Sequence, residues 1–144
     1  MRTIKFRGER IDNGEWVYGY LYELPLESGN VCMILTTDNI HKDNSIEPQY
    51  HLAFTLWKDL FVVDSSTVGQ FTGLYDKNSK EIYEGDVFRR NGNTYRITYR
   101  DGQWIGIDED GLWLPLLEDQ ESIREYLHDE VIGNICKNPE LLKK

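Results

Sequence analysis

Polar and apolar residues alternate through TIKFRG (residues 3–8), and strand-forming residues resume in WVYGYLYEL from Trp16. Between the two runs lies Asn13-Gly14, the strongest short-range turn signal, so residues 3–24 predict an N-terminal β-hairpin. A further strand-like run, VCMILTT (31–37), follows the break at Ser28-Gly29-Asn30. Residues 38–50 are polar and irregular, and Pro48 disfavours a central strand there. HLAFTLWKDLFVVDSSTV (51–68) fits either a short helix or buried strands, with Phe61-Val62-Val63 reading as strand.

From Gly85 the pattern is β throughout. VFRR-NG-NTYRITYR-DG-QWIGID places two-residue turns at Asn91-Gly92 and Asp101-Gly102, joining three antiparallel strands whose register the turns set. Phe88 then opposes Tyr95, Arg89 opposes Thr94, Tyr99 opposes Trp104 and Thr98 opposes Ile105. One face carries Phe88, Tyr95, Ile97, Tyr99 and Trp104, with Gly106 leaving room for a packed neighbour, and is the expected core. The other carries Arg89, Arg96 and Arg100 among Val87, Thr94, Thr98, Ile105 and Ile107.

LWLPLL (112–117) is extended because Pro115 blocks a helix interior. Residues 118–130 read as an amphipathic helix, with Ile123, Tyr126 and Leu127 as its apolar stripe and Glu118, Asp119 and Glu121 at its positive dipole end. VIGNIC is a last strand, and NPELLKK closes with Asn138 as N-cap and Pro139 as first residue of a helical turn. The expected fold is mainly β: small SH3-like or β-barrel lobes built from antiparallel hairpins, with one short C-terminal amphipathic helix. DSST (64–67) marks a loose boundary between an N-terminal lobe, residues 1–65, and a C-terminal lobe, residues 66–144, tightly associated or forming one domain.

Composition narrows the setting. A chain of 144 residues that is 40% hydrophobic and 12% aromatic can bury a core. With 25 acidic against 16 basic residues, its net charge of −9 argues against a protein that coats nucleic acid, which needs a basic field. A local basic patch, or acidic mimicry of DNA against a basic host protein, stays open. The N-terminus has no apolar leader-like run and no window reaches the length of a membrane span, so a cytoplasmic protein of a bacterial host with no membrane partner is expected. Cys32 and Cys136 share no CxxC, and reduced thiols are expected over one long-range disulfide.

Few residues point to chemistry. His41, His51 and His128 lack metal-ligand spacing, and Asp108-Glu109-Asp110-Gly111 fails the alternating frame of a calcium loop. No phosphate-binding glycine loop occurs, so no catalytic residue, metal or cofactor is expected. The arginines Arg89, Arg96 and Arg100 are the candidate binding residues, for an anion, an acidic peptide or single-stranded nucleic acid; the plainer alternative pairs them with acids of residues 118–130 or of another subunit. Tyr75 and Lys77, in the turn of VGQFTGLYDKNSKEIYEGDVF (68–88), are two further candidates, expected to be exposed.

That phrase, together with MRTIKFRGERIDNGEWVYGYL at the start and EVIGNICKNPELL at the end, resembles the YopX-like family of phage- and prophage-encoded proteins. The resemblance spans essentially the whole chain. The family usually has glycine where Ser79 stands, and Asn78 is the residue able to take the left-handed conformation in its place. Membership implies a β-rich homo-oligomer and brings no catalytic residues to carry over. The expected function is a non-enzymatic, oligomeric interaction module of a phage or prophage, with a host or phage protein as partner. The alternative is a nucleic-acid-related role, through the arginines or through acidic mimicry.

Overall fold

The computed structural model describes residues 3–36, 59–117 and 128–143, and the chain divides into two units, one from Ile4 to Val68 and one from Gly69 onward. In the first, β1 (Phe6–Glu9), β2 (Trp16–Leu26), β3 (Gly29–Thr36) and β4 (Leu60–Val63) form an antiparallel sheet in the order β4-β3-β2-β1. The β1–β2 hairpin is present, but Asn13-Gly14 does not make a two-residue turn. The last strand pair is Glu9↔Trp16, and Arg10 N–H then donates to the Glu15 carbonyl (2.8 Å), leaving residues 11–14 as a four-residue loop. Within it Asn13 acts through its side chain, accepting from Glu15 N–H (3.0 Å), while Gly14 supplies the positive φ of 73°. The register Phe6↔Gly19 sets this outcome, since it places the Asn-Gly pair off the centre of the hairpin.

The inward face of this sheet packs Cys32, Ile34 and Val63 with Phe6, Val17, Leu21 and Val68. Phe61-Val62-Val63 is strand, as its pattern predicts, and the polar stretch 38–50 lies outside the described residues.

In the second unit, β5 (Gly69–Tyr75) and β6 (Glu81–Tyr83) form one hairpin. The remaining strands, β7 (Asp86–Arg90), β8 (Asn93–Arg100), β9 (Gln103–Ile107), β10 (Trp113–Pro115) and β11 (Glu130–Asn134), form a five-stranded antiparallel sheet ordered β10-β9-β8-β7-β11. The pairs Phe88↔Tyr95, Arg89↔Thr94, Tyr99↔Trp104 and Thr98↔Ile105 all occur. Both turns use the left-handed conformations their residues favour, with φ of 50° and 82° at Asn91-Gly92 and 51° and 82° at Asp101-Gly102. Phe88, Ile97 and Val131 build the core with Ile82 and Leu116, and Tyr95, Trp104, Leu74 and Leu114 pack against it. Tyr99 departs from the expected core face: at the strand end it is half exposed, edge-on to Trp104 at 4.9 Å. Gly106 is required for packing, because a Cβ there would stand 2.8 Å from the Phe88 ring.

The architecture is mainly β, built from two antiparallel sheets; among the described residues no ladder joins β10 to β11, while in the first unit the end of β1 meets β4 at the isolated Arg10↔Val63 bridge, with Ile11 N–H donating to the Val62 carbonyl (3.2 Å) and Asp64 N–H to the Glu9 carbonyl (2.8 Å). The expected helix at 118–130 falls mostly outside the described residues, and its end is not helical: His128 and Asp129 bend and Glu130 opens β11. Two contacts hold that end in place. Val131 N–H donates to the buried Asp76 carboxylate (3.2 Å), and Arg90 grips the Asp129 carboxylate through Nε (3.0 Å to Oδ2) while donating from Nη1 and Nη2 to the carbonyls of Pro115 and Leu116 (3.3 and 3.1 Å). The C-terminal turn, Pro139–Leu142, begins with proline as expected, but the Asn138 side chain accepts from Asn134 N–H (3.4 Å) instead of capping it.

The reversal at 76–80 is organised by the same Asp76. Its Oδ1 accepts from Asn78 N–H and Lys80 N–H (2.8 and 2.9 Å), and its own N–H donates to the Lys80 carbonyl (2.8 Å). The left-handed residue is Ser79, at φ 63°, and not Asn78. With Asn78 N–H held against the carboxylate, the chirality of the turn is met one residue later, at Ser79. An L residue there is strained by about 1 kcal/mol, partly offset by glycine's larger unfolded-state entropy. Ser79→Gly is therefore expected to raise stability by a few tenths to about 1 kcal/mol. Denaturant midpoints at unchanged m-value would measure it, and a lower midpoint would contradict the strain.

Candidate functional site

The sequence-derived candidates do not converge on one site. Arg89, Arg96 and Arg100 share one face of the five-stranded sheet and all three are exposed. Among the described residues they make no ion pair; Glu130, directly across from Arg89, pairs instead with Lys77 (Nζ–Oε2 2.6 Å). The expected acidic counterparts at 118–127 lie outside the described residues. The face around the arginines is not uniformly open: Val87 and Ile105 on it are buried, and Leu141 comes down at one corner, where Thr94 Oγ1 donates to its carbonyl (2.8 Å). Trp113, exposed on β10, belongs to the same row as Ile107 and Arg96.

Lys77 is exposed but engaged. Besides the Glu130 pair, its N–H donates to the Asp129 carbonyl (3.0 Å), so the turn that carries it is fastened to the start of β11. Tyr75 is half-buried and edge-on to Phe71 at a centroid distance of 5.6 Å, correcting its expected exposure. The side chain follows the β5 pleat, where Tyr75 pairs with Glu81, rather than the turn beyond it.

The feature that sequence reasoning missed is the outward face of the first sheet. Successive even-numbered residues of β2, namely Tyr18, Tyr20, Tyr22, Leu24 and Leu26, all point to that face and all are exposed. Their cross-strand partners continue the apolar surface: Tyr20 pairs with Leu35 and Tyr22 with Met33, and these in turn with Leu60 and Val62 on β4. Tyr20 and Tyr22 retain 58% and 55% of their surface and Val62 retains 42%, far more than a core-facing aromatic or valine leaves open. Near β1 the surface ends at Trp16, whose ring lies 4.9 Å from the buried Arg7 guanidinium. The signal was present in WVYGYLYEL, which is apolar at both parities; a strand that needs one buried face should alternate.

The same unit has a cavity of about 490 Å³ bordered by Arg10, Cys32, Val63 and Asp64. Its charges are already matched. Arg10 Nε donates to Asp12 Oδ1 (2.9 Å), which raises the arginine and lowers the aspartate from their ordinary values, and the guanidinium lies 4.2 Å from the Phe61 ring centroid. Asp64 is lowered by its bonds from Ser66 Oγ and N–H (2.7 and 2.9 Å), a local cap of the Ser65–Thr67 turn. Among the described residues no group of three His, Cys, Asp or Glu side chains is placed to hold a metal, and no helix is long and apolar enough to cross a membrane.

Neither cysteine is in a disulfide. Burial, with the Glu23 charge across the ladder from it, pushes the Cys32 thiol up, whereas Cys136 is exposed. Iodoacetamide at pH 8 is expected to modify Cys136 in the native protein and Cys32 only after unfolding, because less thiolate and less access both slow the buried thiol. Peptide mass mapping would check this, and equal rates would contradict the burial.

Comparison with known proteins adds a family and a fold. The family described as YopX protein matches residues 5–143. The crystal structure of protein EF1440 from Enterococcus faecalis is similar at a TM-score of 0.53 and 24% identity, with 99% of this chain and 100% of that one covered. No curated protein matches the sequence.

Proposed function

The chain belongs to the YopX family, and on that premise we propose that it is a non-enzymatic, oligomeric protein-interaction module of a phage or prophage, working in the bacterial cytoplasm on small barrel-like β lobes. The observation that carries this reading is the outward face of β2, β3 and β4. Exposed apolar patches of this extent mark contact surfaces, and tyrosine is enriched where they do. The partner is a folded protein surface, of the same chain or of a host or phage protein. The buried carboxylates of Asp76 and Asp86 support this economy: both are spent on backbone N–H groups of turns, Asp86 Oδ2 accepting from Tyr83 N–H at 2.9 Å.

A second reading, contact with single-stranded nucleic acid, rests on Arg89, Arg96 and Arg100 sharing a face with exposed Trp113, since cations beside a stacking ring are what such strands need. The net charge of −9 and the burial of Ile105 between the arginine rows weigh against a long track.

Expression of two differently tagged copies in a host cell, wild type against Tyr20→Asp with Tyr22→Asp, separates these readings. Capture of the other copy or of a discrete protein partner is expected for the wild type and at least ten-fold reduced for the variant at equal folded level. Binding of an oligo-dT probe that depends on Arg96 and Arg100 but not on the tyrosines would replace the first reading with the second. Turnover in a substrate panel that the tyrosine changes leave intact would remove both.

A further inference from the structure

The arginine bordering the first unit's cavity is already paired with Asp12, but the second unit has a cavity of about 370 Å³ whose charges stand apart. It lies at the Asn91-Gly92 end of the five-stranded sheet, lined by Arg89, Thr94, Asp108, Leu141, Leu142 and Lys143. Among the described residues Arg89 and Lys143 make no ion pair, and neither is bonded to Asp108.

The sheet keeps these charges separate. Thr94 on β8 pairs with Arg89 on β7, and Arg96, two residues on, pairs with Ile107, the residue before Asp108. Arg89 and Asp108 therefore flank β8 from opposite sides, two strand spacings or about 10 Å apart. The C-terminal turn rests on the β7 side. Thr94 Oγ1 donates to the Leu141 carbonyl (2.8 Å), and Leu141 lies against Gly133 of β11, the strand beside β7, where a Cβ would meet it at 2.5 Å. Lys143, at the end of that turn, adds to the positive side, and Glu109, next to Asp108, to the negative one.

Asp108 is fixed in place. Its Oδ1 accepts from Asp110 N–H (3.0 Å) and Leu112 N–H (2.8 Å), so both turn bonds fall on one oxygen and Oδ2 is left as an acceptor. A carboxylate positioned by its own turn loses little side-chain entropy on meeting a cation. Arg89 offers a planar fork suited to a second carboxylate. The half-buried Leu141 and Leu142 give the cavity an apolar wall.

We infer that this cavity binds a small zwitterion with ammonium and carboxylate on one carbon beside an aliphatic side chain, the chemistry of a free aliphatic amino acid. The ammonium meets Asp108 and the carboxylate meets Arg89. The two charged groups of such a molecule are about 3 Å apart, and a charge-assisted bond of about 2.8 Å at each end bridges about 8–9 Å, close to the two-strand separation. A simple anion or cation would engage only one end. The volume lies at the small-molecule end of the range for ligand cavities. The site lies in the second unit and does not involve the β2–β4 face, so it stands whether or not the interaction-module reading does.

Titration of the full isotope-labelled chain with leucine, followed by amide NMR shifts, tests this. Saturating shifts at residues 92–94, 108–112 and 141–143 are expected, with a dissociation constant of about 1 mM or below. Isoamylamine, which lacks the carboxylate, and isocaproate, which lacks the ammonium, should each bind at least about ten-fold more weakly. Leucine should weaken as much on Asp108→Asn, whose amide oxygen keeps the turn bonds while the charge is lost, and on Arg89→Gln, at an exposed position. Should Asp108→Asn disturb the turn, Arg89→Gln with an unchanged far-UV spectrum decides alone. Tighter binding of leucyl-leucine, whose charges stand farther apart, would put a peptide in place of the amino acid and overturn the assignment. Equal binding of isocaproate would overturn it as well, leaving an anion site. So would the absence of any saturable shift up to about 20 mM, or binding that both variants leave intact.

Discussion

The Asp76 carboxylate, almost fully buried, accepts three backbone N–H groups: two from its own turn and one from Val131. A charged acceptor in that position is tolerated only when each lone pair it presents is answered, and the answering donors must then hold still. The geometry of the 76–80 reversal, the docking of Lys77 on Asp129 and Glu130, and the placement of β11 beside β7 all follow from satisfying one carboxylate. Asp86 repeats the device one turn later, where Gly85 N–H and carbonyl also link Ile97 and Ile135 (2.9 and 2.8 Å). The most recognisable phrase in the chain is thus scaffold. Its two aspartates are aimed at the backbone, and its turn is fastened to the sheet.

The two units place their aromatic side chains differently. In the second, aromatic side chains turn inward: Phe88 stacks on Tyr95 at 5.5 Å, and Gly106 leaves the space for it. In the first, Cys32, Ile34 and Val63 build the inner face with Phe6 packed against them, and the tyrosines of β2 stand outside. A sheet whose aliphatic side is already packed gains nothing from folding by exposing its aromatic side to water. On the reading proposed above, a partner that covered it would recover that free energy.

Much of the second unit was legible in advance because its turns are local. Asn91-Gly92 and Asp101-Gly102 each set a register from two residues, and the opposing pairs across them follow by counting. Where a turn depends on tertiary context, local reading failed. Asn13-Gly14 became part of a longer loop because strand pairing on either side, not the dipeptide, chose the register. Ser79 rather than Asn78 took positive φ because a buried carboxylate fixed its neighbour's N–H. The β2 face escaped notice because an apolar strand at both parities looks from sequence like a core strand, and only its neighbours decide which side stays wet. The arginines were placed correctly on one face, yet their row is interrupted by buried Ile105, which no local pattern encodes.

The strand order β10-β9-β8-β7-β11 has a consequence for synthesis. Strands β7 to β10 are neighbours in sequence and can pair in the order in which they leave the ribosome. Strand β11 must return across the sheet to cover the far edge of β7, bringing Asp129 to Arg90 and Val131 to Asp76. Until then the nascent chain carries an uncovered β7 edge, an arginine still to meet Asp129 and a carboxylate short of one donor. Completion of this sheet therefore waits for its last strand, and a chain that stalls before that strand presents an edge for chaperones or for another nascent copy to meet first.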